Sequence, residues 1–178
     1  VYYCDGSLNV AGKNIKCWKP GGHGVQNFNQ TLENSCNVAF MEMGEKLGAE
    51  KLNEYIKLFG FGTQSGVDLP GEATGIVKNV EDINAVDLAT ISFGQTNTMN
   101  GIQFMTALNA VANGGDLIQP HIMKELSHKD DNGTKIIDEV FVPKIQENIV
   151  DEKSTMRVKE ALESTVSKGS SKDAGIEG

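Results

Sequence analysis

Glycine punctuates this chain. Twenty of its 178 residues are Gly, and several stand where an apolar helical stripe stops. Glycine closes a helix cheaply because its backbone enters the left-handed region without a side-chain clash. Leu32, Cys36, Ala39, Phe40, Met43 and Leu47 recur at helical spacing through 28–47, and Gly48 ends them. Leu52, Tyr55, Ile56 and Phe59 mark a second helix, ended by Gly60 and Gly62. A loop-like insert over 63–80 carries Asp68-Leu69-Pro70-Gly71-Glu72. A short helix from Val86 to Ile91 breaks at Ser92-Phe93-Gly94-Gln95, and Ile102, Met105, Leu108, Val111 and Ala112 form another, stopped by Gly114-Gly115. Residues 117–127 and 134–142 read as strands around the hairpin signal Asp131-Asn132-Gly133. Val158, Leu162 and Val166 make a last helix. This order predicts an α+β or mixed α/β domain.

The formal net charge of −8 and the lack of a basic patch interleaved with aromatics argue against nucleic acid as a partner. No apolar run approaches membrane-span length. The chain opens at Val1 without an initiator Met and reads as an internal fragment.

Residues 2–18 predict a β-hairpin. A loop of Asn9-Val10-Ala11-Gly12 would pair positions whose numbers sum to 21, setting Cys4 opposite Cys17. A tight Gly/Pro turn over 19–24 then brings His23 back over the two thiols. Two cysteines and an imidazole suit zinc. Asp5 is the adjacent carboxylate for a fourth ligand, provided the strand ends or bulges there, and Cys36 or a water would serve instead. A Cys4–Cys17 disulfide and two free buried thiols are the competing readings. Trp18 reads as a core anchor beside the hairpin. His121 and His128 read as strand-edge polar residues.

The remaining chemical signal is Ser35-Cys36-Asn37. On a continuous helix, positions two apart point roughly 200° from each other. Ser35 and Asn37 can therefore serve one site only if the helix breaks near residue 35. Asn34, Ser35 and Asn37 are turn and cap formers that permit a break, while the apolar stripe argues for continuity.

Read together, Gly21-Gly22-His23-Gly24, Ser35-Cys36-Asn37, Phe61-Gly62, Asp68-Leu69-Pro70-Gly71-Glu72, Ser92-Phe93-Gly94-Gln95 and Ala112-Asn113-Gly114-Gly115 resemble, in that order, the transpeptidase domain of class B penicillin-binding proteins. The resemblance covers nearly the whole chain. The hairpin and the Cys-Trp-Lys-Pro-Gly-Gly-His-Gly segment look most like the sporulation-specific members from endospore-forming bacteria. The resemblance implies a penicillin-binding protein/β-lactamase-like fold, with an antiparallel sheet and a helical subdomain. Residues 1–178 would form part of one transpeptidase domain, lying between two further family motifs, Ser-x-x-Lys and Lys-Thr-Gly. Neither occurs in this sequence.

The resemblance further implies a serine acyl-transfer D,D-transpeptidase that cross-links peptidoglycan stem peptides ending in D-Ala–D-Ala and is acylated by β-lactams. Ser35 and Asn37 would be its catalytic residues here, lining a cleft, and Cys36 would be inert core. The parent protein would be anchored in the cell membrane with its catalytic domain outside the cytoplasm, working with a membrane glycosyltransferase. Zinc is not general in the family, so Cys4, Cys17, His23 and Asp5 must support a metal site by themselves. The alternative is a non-catalytic penicillin-recognising sensor, or a zinc-stapled binding module, on the same fold.

Overall fold

The computed structural model describes residues 1–176; Glu177 and Gly178, the end of the segment assigned above to one domain, lie outside the described residues. Strands β1 (Tyr2–Cys4), β2 (Ser7–Val10), β3 (Lys13–Lys16) and β4 (Gly24–Gln26) come first. Helices α1 (Phe28–Glu33), α2 (Asn37–Leu47), α3 (Ala49–Leu58), α4 (Ala85–Ser92) and α5 (Gly101–Ala112) follow. Strands β5 (Leu117–Ile118), β6 (Glu125–Lys129), β7 (Lys135–Val140) and β8 (Ile145–Gln146) precede α6 (Glu152–Ser167). Among the described residues the strands pair antiparallel in four two-stranded ladders, β1–β4, β2–β3, β5–β8 and β6–β7, and Ile76 and Thr98 form an isolated bridge.

Asparagine starts three of the helices. Asn27, Asn84 and Asn100 each accept a backbone N–H from the first turn, and Gln30, Asp87 and Gln103 reach back to complete capping boxes. Asp151 caps α6 through Ser154 N–H.

The first hairpin departs from the sequence expectation. Its loop is Ala11-Gly12 alone, with φ of 48° and 81°, the positive angles of a tight primed turn. The register is therefore Ser7↔Lys16 through Val10↔Lys13. Cys4 is not on this ladder; it pairs with Gly24 on β4.

The core lies where these strands meet the helices. Cys4, Cys17, Cys36, Val38, Ala39, Met41 and Ala89 are buried together, with Tyr2, Leu8, Val10, Ile15, Met43 and Phe93 packed around them. Helix α2 runs through this core and packs on α4. Gly44 permits the approach, since a Cβ there would stand 1.7 Å from Ser92 Oγ. At the far end α6 returns to α1, where Ser164 Oγ donates to the Glu33 carboxylate and Ser170 N–H donates to Glu33 O at 2.9 Å. The loop over 63–75 is fastened by Glu72, which accepts from the N–H groups of Ser65 (2.8 Å) and Gly66 (3.2 Å).

Candidate active site and thiol cluster

The helix expected across 28–47 is broken at the motif. α1 ends at Glu33, Ser35 has φ 47°, and α2 begins at Asn37 with Cys36 as its N-cap. The left-handed conformation costs a non-glycine residue about 1–2 kcal/mol. Local hydrogen bonds hold it: Ser35 N–H donates to Leu32 O and Cys36 N–H to Thr31 O, both at 3.0 Å. Ser35 is exposed and Cys36 is fully buried. Asn37 Nδ2 donates to the Lys16 carbonyl at 3.3 Å, tying the motif to the first hairpin.

Trp18 is not the core anchor expected from its position. It is 57% exposed. Its indole N–H is shared between the carbonyls of Asn34 (2.9 Å) and Ser35 (3.0 Å), and its ring meets that of His23 edge-on, with centroids 5.3 Å apart.

Beneath the motif four side chains converge. The sulfurs of Cys4, Cys17 and Cys36 and a ring nitrogen of His23 all lie within 4.8 Å of one another. The three thiols are free, so Cys4 and Cys17 are near neighbours without a bond between them. Their proximity does not come from facing positions on a hairpin. The chain turns at Asp5-Gly6, and Cys17 N–H donates to Gly6 O at 2.8 Å, which folds the end of β3 back over the end of β1. Asp5 stands outside the cluster: it is exposed, and its carboxylate accepts from Ser7 N–H. The fourth converging group is Cys36, one of the alternatives to Asp5 named above, although its place on the apolar stripe also read as inert core.

The turn that delivers His23 has no room for a side chain. A Cβ on Gly22 would sit 2.1 Å from the Cys4 carbonyl oxygen.

The cluster's chemistry suits a soft divalent metal. His23 Nδ1 lies 3.6 Å from Cys17 Sγ, close to the roughly 3.5 Å edge between nitrogen and sulfur in a tetrahedral zinc site. Burial lowers the His23 pKa, helped by the nearby Lys19 charge, and so favours the neutral imidazole that binds metal. Burial works against the Cys17 thiolate, but the backbone N–H groups of Lys19, Asn37 and Val38, with the Cys4 thiol, outweigh it and lower the pKa. Burial pushes Cys4 up to about 11, with Cys36 adding to the rise. A bound cation would reverse that penalty.

A well-formed cleft lies elsewhere. It measures about 390 Å³, is lined by Lys57, Thr63, Gln103, Gln119 and Lys144 among others, and includes neither Ser35 nor Asn37. Ser35 is exposed at the surface, and the two motifs expected to close a cleft over it do not occur in this sequence.

The profile of the penicillin binding protein transpeptidase domain matches residues 2–178. The chain belongs to the penicillin-binding protein transpeptidase family. Its relatives place it in class B, as the motifs implied. It is 41% identical, over 99% of its length, to stage V sporulation protein D of Bacillus subtilis, and spans 27% of that protein. Over 60% of its length it is 30% identical to the peptidoglycan D,D-transpeptidase MrdA of Acinetobacter baumannii, of which the match covers 17%. Penicillin binding protein 3 of Mycobacterium tuberculosis, solved in complex with aztreonam, superposes with a TM-score of 0.85 at 24% identity, covering 100% of this chain and 40% of that one. That likeness shows the fold, and the mixed helical and antiparallel architecture agrees with the α/β class expected. Among the described residues no helix is long and apolar enough to cross a membrane.

Proposed function

We propose that this chain is the Ser-x-Asn portion of a peptidoglycan D,D-transpeptidase, with a structural zinc ion held behind the motif. The observation that carries the proposal is the break at Ser35 directly above the cluster. In the reaction, a serine of the Ser-x-x-Lys motif attacks the D-Ala–D-Ala carbonyl of a stem peptide. Its proton passes through the motif lysine and Ser35 to the leaving D-alanine nitrogen, so the peptide bond breaks as the ester forms. An acceptor amine then attacks the ester, forming the cross-link and returning the proton to the serine. Asn37 orients the lysine or the donor amide. A β-lactam acylates the same serine, and its ring nitrogen takes the proton in place of the amine. Membrane anchoring of the parent protein and work beside a membrane glycosyltransferase belong to the same proposal.

Cys4, Cys17, His23 and Cys36 would complete a tetrahedron around zinc. Four protein ligands leave no open position, so the ion would brace rather than catalyse. One of the four lies between Ser35 and Asn37, so metal binding would fix the backbone that presents both.

The test is the acylation rate of full-length Ser35→Ala with a fluorescent penicillin. The proposal expects a loss of about 100-fold or more, the usual range for a proton-transfer group, with thermal stability unchanged. Wild-type acylation would remove Ser35 from the mechanism.

A further inference from the structure

An indole N–H in water needs no protein partner, so one committed to two backbone carbonyls has a specific place in the fold. Trp18 is more than half exposed, yet its single N–H is committed to two carbonyls, those of Asn34 and Ser35. These are the carbonyls left over where α1 ends, and they flank the one residue of the motif held at positive φ. The amides of the turn are satisfied from within, by Leu32 O and Thr31 O. Its carbonyls are held from outside, by one side chain. That side chain follows Cys17 in sequence and rests against the ring of His23. It is a rigid strut between the thiol cluster and the Ser35 turn.

We propose that Trp18 is a positioning residue for acylation: its shared indole N–H holds the left-handed turn at Ser35 in the conformation that presents the hydroxyl to the reacting serine and lysine. The inference rests on Ser35 acting in proton transfer, as proposed above. Trp18 acts through the Ser35 turn, by its hydrogen bonds to the Asn34 and Ser35 carbonyls. Its contribution is orientation, where a displacement near one ångström carries a large kinetic penalty.

The experiment uses the full-length protein and benzylpenicillin, with non-covalent binding and the acylation step resolved by stopped flow. Trp18→Phe keeps an aromatic ring beside His23 and deletes the N–H. The acylation rate constant is expected to fall about tenfold, with the dissociation constant of the non-covalent complex, the thermal midpoint and the zinc content unchanged. In a Ser35→Ala background, Trp18→Phe is expected to add nothing, because Trp18 acts only through the hydroxyl that Ser35→Ala removes. Should Trp18→Phe fold poorly, the benzothiophene analogue of tryptophan, with sulfur in place of N–H, preserves the ring's shape and is expected to give the same loss. If Ser35→Ala slows acylation while both Trp18 replacements acylate at the wild-type rate, the positioning role is overturned and the transpeptidase reading stands. If Ser35→Ala has no effect, both fall. An added loss in the Ser35→Ala background would also overturn the inference, since Trp18 would then act by another route.

Discussion

Two hairpins of this chain differ in what surrounds them. The one formed by β2 and β3 turns through Ala11-Gly12 and lays Leu8, Val10 and Ile15 against buried thiols. The one formed by β6 and β7 turns after Asp130, whose carboxylate accepts from Asn132 and Thr134 N–H, and every strand residue but Glu125 is exposed. The first is fixed by a core, the second by its turn, an ion pair from Lys135 to Glu125 and a hydrogen bond between His128 and Asp138. Exposed ion pairs contribute little. The comparison teaches that the backbone beside the proposed site is fixed by tertiary packing as well as by the local hydrogen bonds that hold Ser35 at positive φ.

The largest expected effect would break the first region. Gly22→Ala would drive a Cβ into the Cys4 carbonyl oxygen, backbone against backbone, so neither atom can step aside. A loss of at least about 3 kcal/mol is expected, read as a fall in the thermal midpoint of the full-length protein together with loss of bound zinc. A midpoint within error of wild type would show that the turn is looser than described.

An intermediate effect is expected at the loop pinned by Glu72. Burial opposes its charge, but hydrogen bonds from the Ser65 hydroxyl and the Ser65 and Gly66 N–H groups, with Asn100, outweigh this and hold the carboxyl below its ordinary range. Because the folded pKa is the lower one, the stabilisation is fully present above the unfolded value and is lost as pH falls through the folded value. Glu72→Gln should cost about 1–2 kcal/mol near neutral pH. The gap from wild type should narrow as pH falls below the ordinary carboxyl range and the wild-type carboxyl protonates. Urea unfolding across this range checks this, and a gap independent of pH would assign the cost to packing alone.

The smallest effect belongs to the second hairpin. Asp138→Asn breaks the 2.8 Å contact with His128 on a solvated face and should change stability by less than about 0.5 kcal/mol. A larger change, by the same unfolding measurement, would mean that this hairpin is coupled to the core after all.

Much of the fold was legible. Helix ends follow the glycines at 48, 60 and 114, and Asp131-Asn132-Gly133 marks its hairpin. The first hairpin was misread because an alanine stands at a positive-φ turn position that usually belongs to Asn or Gly, so the loop looked two residues longer than it is. That shift moved Cys4 off the predicted ladder. The convergence of Cys4, Cys17 and His23 was legible in outline, through a route the chain does not use. Cys36 was legible only as one alternative to Asp5, because helical spacing also assigned it to an apolar stripe, and the stripe and the cluster share one core. Trp18 was misplaced because nothing in its spacing tells an indole held by its N–H from one held by burial.

The central claim is that a metal-holding cluster braces the Ser-x-Asn turn. Elemental analysis of the reduced full-length protein, with penicillin acylation measured before and after chelation, tests it most directly. About one zinc per chain is expected, absent from Cys36→Ser, with acylation lost on chelation and restored by added zinc. Zinc-free protein that acylates at full rate would contradict it.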